Sequence, residues 1–277
     1  MTVREPVGVV IVHYRTPELL VHCLRSLRFQ RVPIHVVVVD TSEQPIVRMQ
    51  WGYLAVDLPS VCLIERPDNP GFGTACNIGV AALPTETDWL IIANADIVFL
   101  PNTLRMLHRF LETHSRAGLV GPRIEAPDGH IEPSWGAPIT LMREWVYRWR
   151  MRWMRWRVLQ RRWQQWTTPR RVGWVSGACM AMRWAAWTAV RGFDPGFFLY
   201  YEDCDLGIRV QQAGWEVWWT PTATVVHTRG ASVQENPGIR ARVRRDRRNS
   251  QMRYYRKHRP RWEQTVLRWY HRWWVRM

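Results

Sequence analysis

The sequence predicts an α/β fold with a mostly parallel central sheet, and three observations support this prediction. Apolar runs of strand length, such as VGVVIVHY and HVVVVDTS, have the continuous hydrophobicity of strands that are buried on both faces. These runs alternate with segments of helical spacing, which implies right-handed crossovers. Two of the runs carry an acid at their end, Asp40 and Asp96, at the sheet edge where such folds bind ligands.

The N-terminal half of the chain supplies most of the predicted strands. After VGVVIVHY, the segment PELLVHCLRSLRFQ has the spacing of a helix, and the strands HVVVVDTS and VCLIERPDN follow. The loop NPGFG leads into a predicted helix from about Thr74 to Ala82, and DWLIIANADIVF is the next buried strand. LPNTLRMLHRFLETH predicts another helix, whereas GPRIEAPDGHIEPSWGAP is predicted to be irregular.

The C-terminal half returns to the core at GWVSGACMAM. It then predicts a helix from roughly Glu202 to Ala213, closed by Gly214, and a short strand before a loop that contains His227. No internal repeat or low-complexity linker divides the sequence. We therefore expect one domain over residues 1–239, with a basic helical insertion at 143–171 and a basic helical appendage at 240–277.

The basic charge of the chain is concentrated in two segments. Residues 143–171 hold ten Arg and one Glu, and residues 240–277 hold fourteen Arg or Lys and two acids. These segments carry a net charge of +21, whereas the whole chain has +16, so the remainder is acidic at −5. The basic character therefore belongs to the insertion and the appendage and not to the body of the protein.

Tryptophan residues follow the arginines at helical spacing. A first stripe in the insertion and a second stripe in the appendage each place their apolar residues on one helix face. Such helices suit an anionic membrane surface, here through 143–166 and 262–274; the alternative is that a stripe packs on the core or on a partner subunit. The stripes are Trp145, Trp149, Trp153, Trp156, Leu159, Trp163 and Trp166, and then Trp262, Val266, Trp269 and Trp273.

Length and composition limit the class of protein. With 277 residues, of which 47% are hydrophobic, the chain can form a proper core, which excludes global disorder. Five scattered cysteines without a CxxC pair argue against a zinc site and a disulfide framework, and they fit a reducing cytoplasm. The N-terminus has no signal-peptide pattern and no apolar window reaches about eighteen residues, so we expect no membrane span.

Polar residues at the strand ends are candidates for nucleotide and metal binding. Asp40 could accept hydrogen bonds from a nucleobase or ribose, and Asn69 and Asn77 offer amide groups around the glycine-bearing loop. Asp96 stands where a divalent metal would hold a diphosphate, and His227 would complete an oxygen and nitrogen site. The alternative for each acid is a structural role in a turn.

Three acids crowd the start of one predicted helix, at Glu202, Asp203 and Asp205. Their mutual repulsion should raise at least one carboxyl pKa, which suits a general base. Acids in a first helical turn are also favoured by the helix dipole and by capping, so a purely structural role is the alternative.

The order of the motifs is more specific than any one of them. In sequence they are VVIVHYRTPELLVHCLRSL, VVVVDTS, NPGFGTACNIG, LIIANADIVFLP, SGACMAMR, GFDPGFFLYYEDCDLGIRVQQAGW and HTRGAS. This series, from about Val7 to Ser232, resembles the inverting GT-A glycosyltransferases of glycosyltransferase family 2, a large bacterial family that includes rhamnosyltransferases. SQMRYYRKHRP adds a weaker similarity. DTS stands in place of the more usual Asp-Asn-Ser, and NAD in place of Asn-Pro-Asp.

The resemblance implies a reaction and a set of partners. It implies a GT-A fold, a divalent cation (Mg or Mn), a nucleotide-diphosphate-sugar donor and a polyprenyl-linked or polysaccharide acceptor for a rhamnose-like or other hexose. It also implies a peripheral protein on the cytoplasmic face of the plasma membrane, and a homodimer is possible. It assigns the nucleotide to His13, Tyr14, Asp40, Asn69 and Asn77, the donor sugar or acceptor to Gly177, Glu202 and Asp205, the metal to Asp96 and His227, and the catalytic base to Asp203.

Two other classes of protein remain as alternatives. The Arg and Trp segments could bind nucleic acid, although a glycosyltransferase has no evident need of it. The chain could also be an inactive glycosyltransferase homologue, because Asn94 stands where a two-acid metal site would have its first carboxylate.

Overall fold

The computed structural model of the chain describes residues 6–43, 61–84, 87–153, 166–228 and 237–273, without the side chains of 147, 148, 150–153, 237–240 and 273. The strands are β1 Val7–His13, β2 Ile34–Asp40, β3 Val61–Glu65, β4 Trp89–Asn94, β5 Ile97–Phe99, β6 Ala117–Glu125, β7 Trp135–Gly136, β8 Arg170–Arg171, β9 Trp174–Val175, β10 Cys179–Arg183 and β11 Glu216–His227. The helices are α1 Pro17–Leu27, α2 Phe72–Ala81, α3 Thr103–Thr113, α4 Leu141–Trp153, α5 Trp184–Val190, α6 Glu202–Gln212, α7 Pro237–His258 and α8 Arg261–Trp273.

One large sheet organises the molecule. Its strand order is β3-β2-β1-β4-β10-β6-β11-β5, with β8 paired to β11. The four strands from β3 to β4 run parallel, as do β6 and β11, whereas β10 is antiparallel to both of its neighbours. The predicted α/β class with a mostly parallel central sheet is confirmed. The carboxyl ends of β1, β2 and β4 therefore meet at one edge of the sheet.

The central strands are apolar throughout because both faces of the sheet are covered. Along β1, Val9 and Ile11 belong to one buried cluster, whereas Val10 belongs to the other, as the alternation of side chains in a strand requires. Leu20 of α1 and Leu104 of α3 pack on the first face. Helices α2, α5 and α6 pack on the second face, through residues that include Val80, Ala186 and Leu206.

The structure differs from the sequence predictions at two places between α3 and β8. The segment predicted to be irregular begins inside β6, which continues to Glu125, because parallel pairing with β11 extends it. The predicted membrane-facing stripe is wrong at Trp166, which lies within the predicted insertion but outside the described helices and packs on Trp135 at a ring distance of 4.7 Å. The side chain of Trp153, and residues Trp156, Leu159 and Trp163, lie outside the described residues.

Helices α7 and α8 pack on the body through a third buried cluster. This cluster joins Tyr254 and Tyr255 of α7 and Leu267 of α8 to Leu141 at the start of α4 and to Tyr201 before α6. Val266 of the second predicted stripe packs against the same cluster. The stripe is therefore divided, because Trp262 and Trp269 are exposed; the side chain of Trp273 is outside the described residues.

Candidate active site

The candidate site is built where β1, β2 and β4 end. The strand register places His13 beside Asp40 and Val12 beside Asn94, so the two strand-end loops of β1 and β2 and the turn after β4 are neighbours. The backbone N–H of Asn94 donates to the carbonyl of Ala178, which brings the start of β10 to the same edge. The strand ends thus gather side chains that are far apart in the sequence.

Asp40 and His13 form a buried pair at this edge. His13 Nδ1 lies 2.8 Å from Asp40 Oδ1, and the backbone N–H of Ser42 donates to the same oxygen at 3.0 Å. The backbone N–H of Thr16 donates to His13 Nε2, so Nδ1 carries the proton that is shared with Asp40. Burial alone would raise the pKa of Asp40, but these hydrogen bonds lower it. Asp40 is therefore an oriented carboxylate at neutral pH.

His227, at the end of β11, lies between two carboxylates. Its Nδ1 is 3.1 Å from Glu132 Oε2, and its Nε2 is 3.2 Å from Asp96 Oδ1. Burial alone would lower the pKa of His227, but the two carboxylates raise it to about 9. In this arrangement the imidazole is protonated at neutral pH and ties the turn after β4 to the end of β11.

The predicted metal ligands Asp96 and His227 lie together and fit a divalent cation. Asp96 Oδ1 is buried and its one described polar neighbour in these contacts is His227 Nε2, at an ion-pair distance of 3.2 Å. Such an oxygen and a histidine nitrogen are ligands that Mg²⁺ or Mn²⁺ accepts. Within the described residues, no group of three or more His, Cys, Asp or Glu side chains is arranged to hold a metal. Mg²⁺ sites commonly use one or two carboxylates and take further ligands from substrate phosphates and water.

Asp203, the predicted base, lies in the first turn of α6 and faces the start of β10. Its Oδ2 accepts a hydrogen bond from the N–H of Gly177 at 3.2 Å, and its Oδ1 accepts one from the N–H of Cys204 at 2.8 Å. Burial raises the pKa of Asp203. Burial and the charge of Asp203 raise the pKa of Glu202 well above its usual range, and Glu202 Oε2 has no partner among the described residues. The backbone donors stabilise the ionised form of Asp203, so Glu202 is protonated first and Asp203 remains the carboxylate.

Asp205 is engaged by basic residues instead of opening onto this edge. The carboxylate is fully buried, with Oδ2 at 2.7 Å from Arg209 Nε. Its Oδ1 lies 2.7 Å from both Lys257 Nζ and His258 Nε2 of α7. Burial opposes ionisation of Asp205, but these cations and hydrogen bonds lower its pKa. Asp205 holds α6 to α7, and its contact with a donor sugar or an acceptor stays a prediction.

The two predicted asparagines support the backbone of the site. Asn77 exchanges two hydrogen bonds with the backbone of Phe193, at 2.8 and 2.9 Å, and so ties α2 to the loop before α6. Asn69 Oδ1 accepts a weak bond from Gly71 N–H at 3.4 Å. Gly71 has a φ of +90°, and a Cβ there would lie 2.5 Å from the carbonyl oxygen of Phe198. Only glycine allows the loop to approach so closely.

Tyr14 lies at the outer rim of the predicted nucleotide site. Its hydroxyl donates to Glu43 Oε1 at 3.2 Å, and Arg15 Nε donates to Glu43 Oε2 at 2.8 Å. Burial and the charge of Glu43 raise the pKa of Tyr14. The structure thus closes the loop after β2 onto the loop after β1, and nucleotide contact by Tyr14 stays a prediction.

Glu144, in the first turn of α4, connects the basic helices to the loop before α6. Its carboxylate accepts hydrogen bonds from the hydroxyls of Tyr201 and Tyr255 and from the side-chain amide of Gln251. Tyr200 and Tyr201 both have a positive φ, of 69° and 66°, which is strained for residues with a Cβ. Glu144 therefore helps to hold the backbone that presents Glu202 and Asp203.

Two contributors to the site were not predicted from the sequence. Glu132 contacts His227 across 95 residues, and Glu144 contacts Tyr201 across 57 residues. Glu132 lies in the segment predicted to be irregular, and Glu144 was counted only as the single acid of the basic insertion. No local spacing marks either residue, because each acts through a partner that only the fold brings near.

A family model agrees with this architecture. The family described as Glycosyltransferase like family 2 matches residues 5–264. The chain belongs to this family. Among relatives of this glycosyltransferase-like chain, an N-acetylglucosaminyl-diphospho-decaprenol L-rhamnosyltransferase of Mycobacterium tuberculosis is 32% identical over 200 residues. The aligned part is 65% of this chain and only 62% of that relative.

Solved structures share the fold of this family 2 chain at low sequence identity. GalNAc-T7 with UDP, GalNAc and Mn²⁺ has a TM-score of 0.62 and 18% identity, over 84% of this chain and 45% of that chain. The mannosyltransferase PcManGT from Pyrobaculum calidifontis, in complex with GDP-Man and Mn²⁺, has a TM-score of 0.61 and 18% identity, over 96% of this chain and 69% of that chain. The predicted GT-A fold and family are confirmed.

Proposed function

We propose that the protein is a metal-dependent inverting glycosyltransferase that moves a rhamnose-like or other hexose from a nucleotide-diphosphate donor to a polyprenyl-linked or polysaccharide acceptor. The observation that carries this proposal is the placement of Asp203. Its carboxylate is fixed by the N–H of Gly177. The next residue, Ala178, accepts a hydrogen bond from the N–H of Asn94, which ends β4 two residues before Asp96. A base and a candidate metal site thus share one edge of the sheet, as family membership and the relative's name also suggest.

The donor nucleotide would lie along the ends of β1 and β2. Asp40 would accept hydrogen bonds from the base or ribose through the oxygen that His13 does not hold, since His13 fixes Oδ1. A divalent cation, held by Asp96 and His227, would neutralise charge on the diphosphate leaving group. His227 would have to lose the proton that it shares with the flanking carboxylates before its Nε2 could bind the cation.

The transfer itself would be one displacement. Asp203 takes the proton from the acceptor hydroxyl as that oxygen bonds to the anomeric carbon of the donor. The bond from the anomeric carbon to the diphosphate oxygen breaks on the opposite face, so the configuration inverts. The backbone N–H groups of Gly177 and Cys204 would hold the Asp203 carboxylate in one orientation during the transfer. The fold thus orients the proposed base.

The proposed acceptor places the protein at the cytoplasmic face of the plasma membrane as a peripheral protein. None of the described helices is long and apolar enough to cross a bilayer. Four tryptophan side chains on two of the described helices are exposed: Trp145 and Trp149 of α4, at 50% and 62%, and Trp262 and Trp269 of α8, at 61% and 63%. Indoles of this kind favour the headgroup region of a bilayer. A homodimer stays a prediction.

A donor screen followed by a transfer assay tests the proposed reaction. Thermal shift with nucleotide-sugars and Mn²⁺ should show stabilisation by one donor, since only a bound ligand stabilises by mass action. That donor should then be consumed with an inverted product when a polyprenyl-diphosphate sugar is added. Binding without hydrolysis or transfer would instead identify an inactive homologue.

The membrane proposal has its own test. Replacing Trp145 and Trp149 with Ser should reduce co-sedimentation with anionic vesicles without changing the melting temperature, because both side chains are exposed. Phe29→Ser is the control, since Phe29 is 64% exposed in the turn after α1 and outside the stripes. A loss of fold in the double variant, or equal losses of binding in both proteins, would contradict the proposal.

A further inference from the structure

Helices α7 and α8 enclose a cationic groove that the proposed reaction does not use. The groove has a volume of about 600 Å³. Its lining includes Met252, Asn249 and His271, and five arginines: Arg245, Arg248, Arg256, Arg268 and Arg272. No aspartate or glutamate is among the described residues that line it.

Within the part of the chain that the structure describes, no acidic side chain pairs with the five arginines of this groove. Elsewhere on α7, Arg253 and Lys257 pair with Asp194, and Arg242 lies near Asp246. By contrast, none of the five groove arginines is within ion-pair distance of a carboxylate among the described residues. Placing five guanidinium groups around one groove costs free energy by mutual repulsion, which an anionic ligand would relieve.

The groove faces away from the candidate active site. On α7, Gln251, Tyr254 and Tyr255 are buried against the body, whereas Arg245 and Arg256 are exposed on the opposite side of the helix. The groove therefore lies on the outer surface of the helix pair, away from the side that faces Tyr201 and Glu144. A donor diphosphate at Asp96 is a separate binding event.

The neighbouring face of α8 indicates what kind of anion is bound. Trp262 and Trp269 are seven residues apart and share one exposed helix face, and Arg268 and Arg272 lie on the face beside it. A ridge of indoles beside a concave set of arginines matches the interface of a bilayer, where apolar and phosphate layers are adjacent. Nucleic acid would give the indoles bases to stack on, but it would not require the arginines to line one short groove.

We propose that the groove between α7 and α8 binds the phosphate groups of anionic phospholipid headgroups and so seats the enzyme on the membrane. The guanidinium groups bind phosphate oxygens by charge-assisted hydrogen bonds, while Trp262 and Trp269 enter the headgroup layer. This inference rests on the proposed membrane association. It adds a defined headgroup site, formed largely by α7, to the tryptophan stripes.

Vesicle co-sedimentation of the full chain tests the groove. The vesicles are phosphatidylcholine alone, or phosphatidylcholine mixed with phosphatidylglycerol. R248Q, R268Q and R272Q together should lower partition into the anionic vesicles roughly 100-fold, because each arginine near an anionic surface contributes about a five-fold gain. The matched control is R25Q with R105Q and R109Q, three exposed arginines on α1 and α3, which removes the same charge and should change partition only a few-fold.

The outcomes separate the groove from its alternatives. Equal losses in the two triple variants, or no loss in the groove variant, would overturn the proposal, since the attraction would then be general. It would also be overturned if the groove variant kept vesicle binding but lost binding of inorganic pyrophosphate or RNA. Single R268Q and R272Q variants, each expected to lose several-fold, serve if the triple variant does not fold. Sugar transfer to a short-chain acceptor in detergent should persist in all of them, so failure of the proposed reaction would be seen separately.

Discussion

The carboxyl edge of the sheet and the outer surface of α7 and α8 handle charge in opposite ways. At the edge, Asp40 is paired with His13, and His227 lies between two carboxylates. In the groove of α7 and α8, five arginines have no carboxylate partner among the described residues. Paired, buried charges hold fixed geometry for chemistry on a small ligand, whereas unpaired, exposed charges suit a broad anionic surface. Substitutions at the sheet edge should therefore affect sugar transfer and stability, whereas substitutions in the groove should affect membrane binding.

The largest expected effect is at the edge, where Asp203→Asn removes the proposed base. Sugar transfer should fall by about 10²- to 10⁴-fold, because the variant keeps the size of the side chain but cannot take the proton. Donor affinity, measured by calorimetry, should be nearly unchanged, since Asp203 is proposed to contact the acceptor and not the donor nucleotide. The matched control is Glu202→Gln, which should have a smaller effect on transfer; near wild-type transfer by the Asp203 variant would move the base to Glu202 or Asp205.

Because His227 pairs with two carboxylates, the stability of the protein should depend on pH after treatment with a chelator. The pKa of His227 is raised from 6.5 to about 9, so its contribution is fully present below about pH 6.5 and is lost as the pH rises through 9. The free energy of unfolding should fall by on the order of 3 kcal/mol across this window. Urea titrations of wild type and His227→Gln test this; the variant should lack the slope, and a parallel slope in both proteins would contradict the assignment.

Some of the residues in these two predictions could be placed from the sequence. The end of β2 could be predicted, because its continuous apolar run stops at Asp40. DWLIIANADIVF was predicted as one strand, but the turn at Asp96 divides it into β4 and β5. The crowding of Glu202, Asp203 and Asp205 predicted a general base among them, and the order of motifs assigned it to Asp203; that role stays a prediction. The fold class followed from the same runs, since a sheet covered on both faces requires them.

Other parts could not be predicted, for a common physical reason. Glu132, Glu144 and the arginine groove depend on contacts between elements that local periodicity does not pair. Periodicity did place Val266 with Trp262, but the apolar face of α8 is wide enough to be buried along one side and exposed along the other. The position of a helix on the body, and not its pattern alone, decides which residues meet solvent.

The third expected effect concerns the metal. Asp96→Ala and His227→Ala should each weaken Mn²⁺-dependent binding of the nucleoside diphosphate, because both residues are assigned to the cation. Glu132→Gln should weaken it by about 10- to 100-fold, as is typical for a residue that orients a metal-ligating histidine. Calorimetry with and without Mn²⁺ measures this, and Glu125→Gln, a change on the same β6 to β7 segment, is the control. Unchanged metal dependence in the Asp96 and His227 variants would remove the proposed site.

The smallest expected effect is at Glu144, which belongs to both regions because it joins α4 and α7 to the loop before α6. Glu144→Gln keeps the shape of the side chain but replaces one acceptor oxygen by an NH₂ group, which then faces the donors of Tyr201, Tyr255 or Gln251. We expect a loss of stability of about 1 to 3 kcal/mol and a fall in kcat of several-fold, with KM for the donor little changed. Such a split would mark a positioning residue, since Tyr201 directly precedes the acids of α6 and is not among the residues assigned to the nucleotide.

A double-mutant cycle separates this role from simple stabilisation. Tyr201→Phe and Tyr255→Phe each remove one donor to Glu144, but only Tyr201 leads directly into Glu202 and Asp203. The effect of Glu144→Gln on kcat should therefore be non-additive with Tyr201→Phe and additive with Tyr255→Phe, while both pairs couple in the melting curves. Equal coupling of both tyrosines to kcat would mean that Glu144 only stabilises the packing of α7. In that case Glu144 would connect the basic helices to the candidate active site without affecting the proposed reaction.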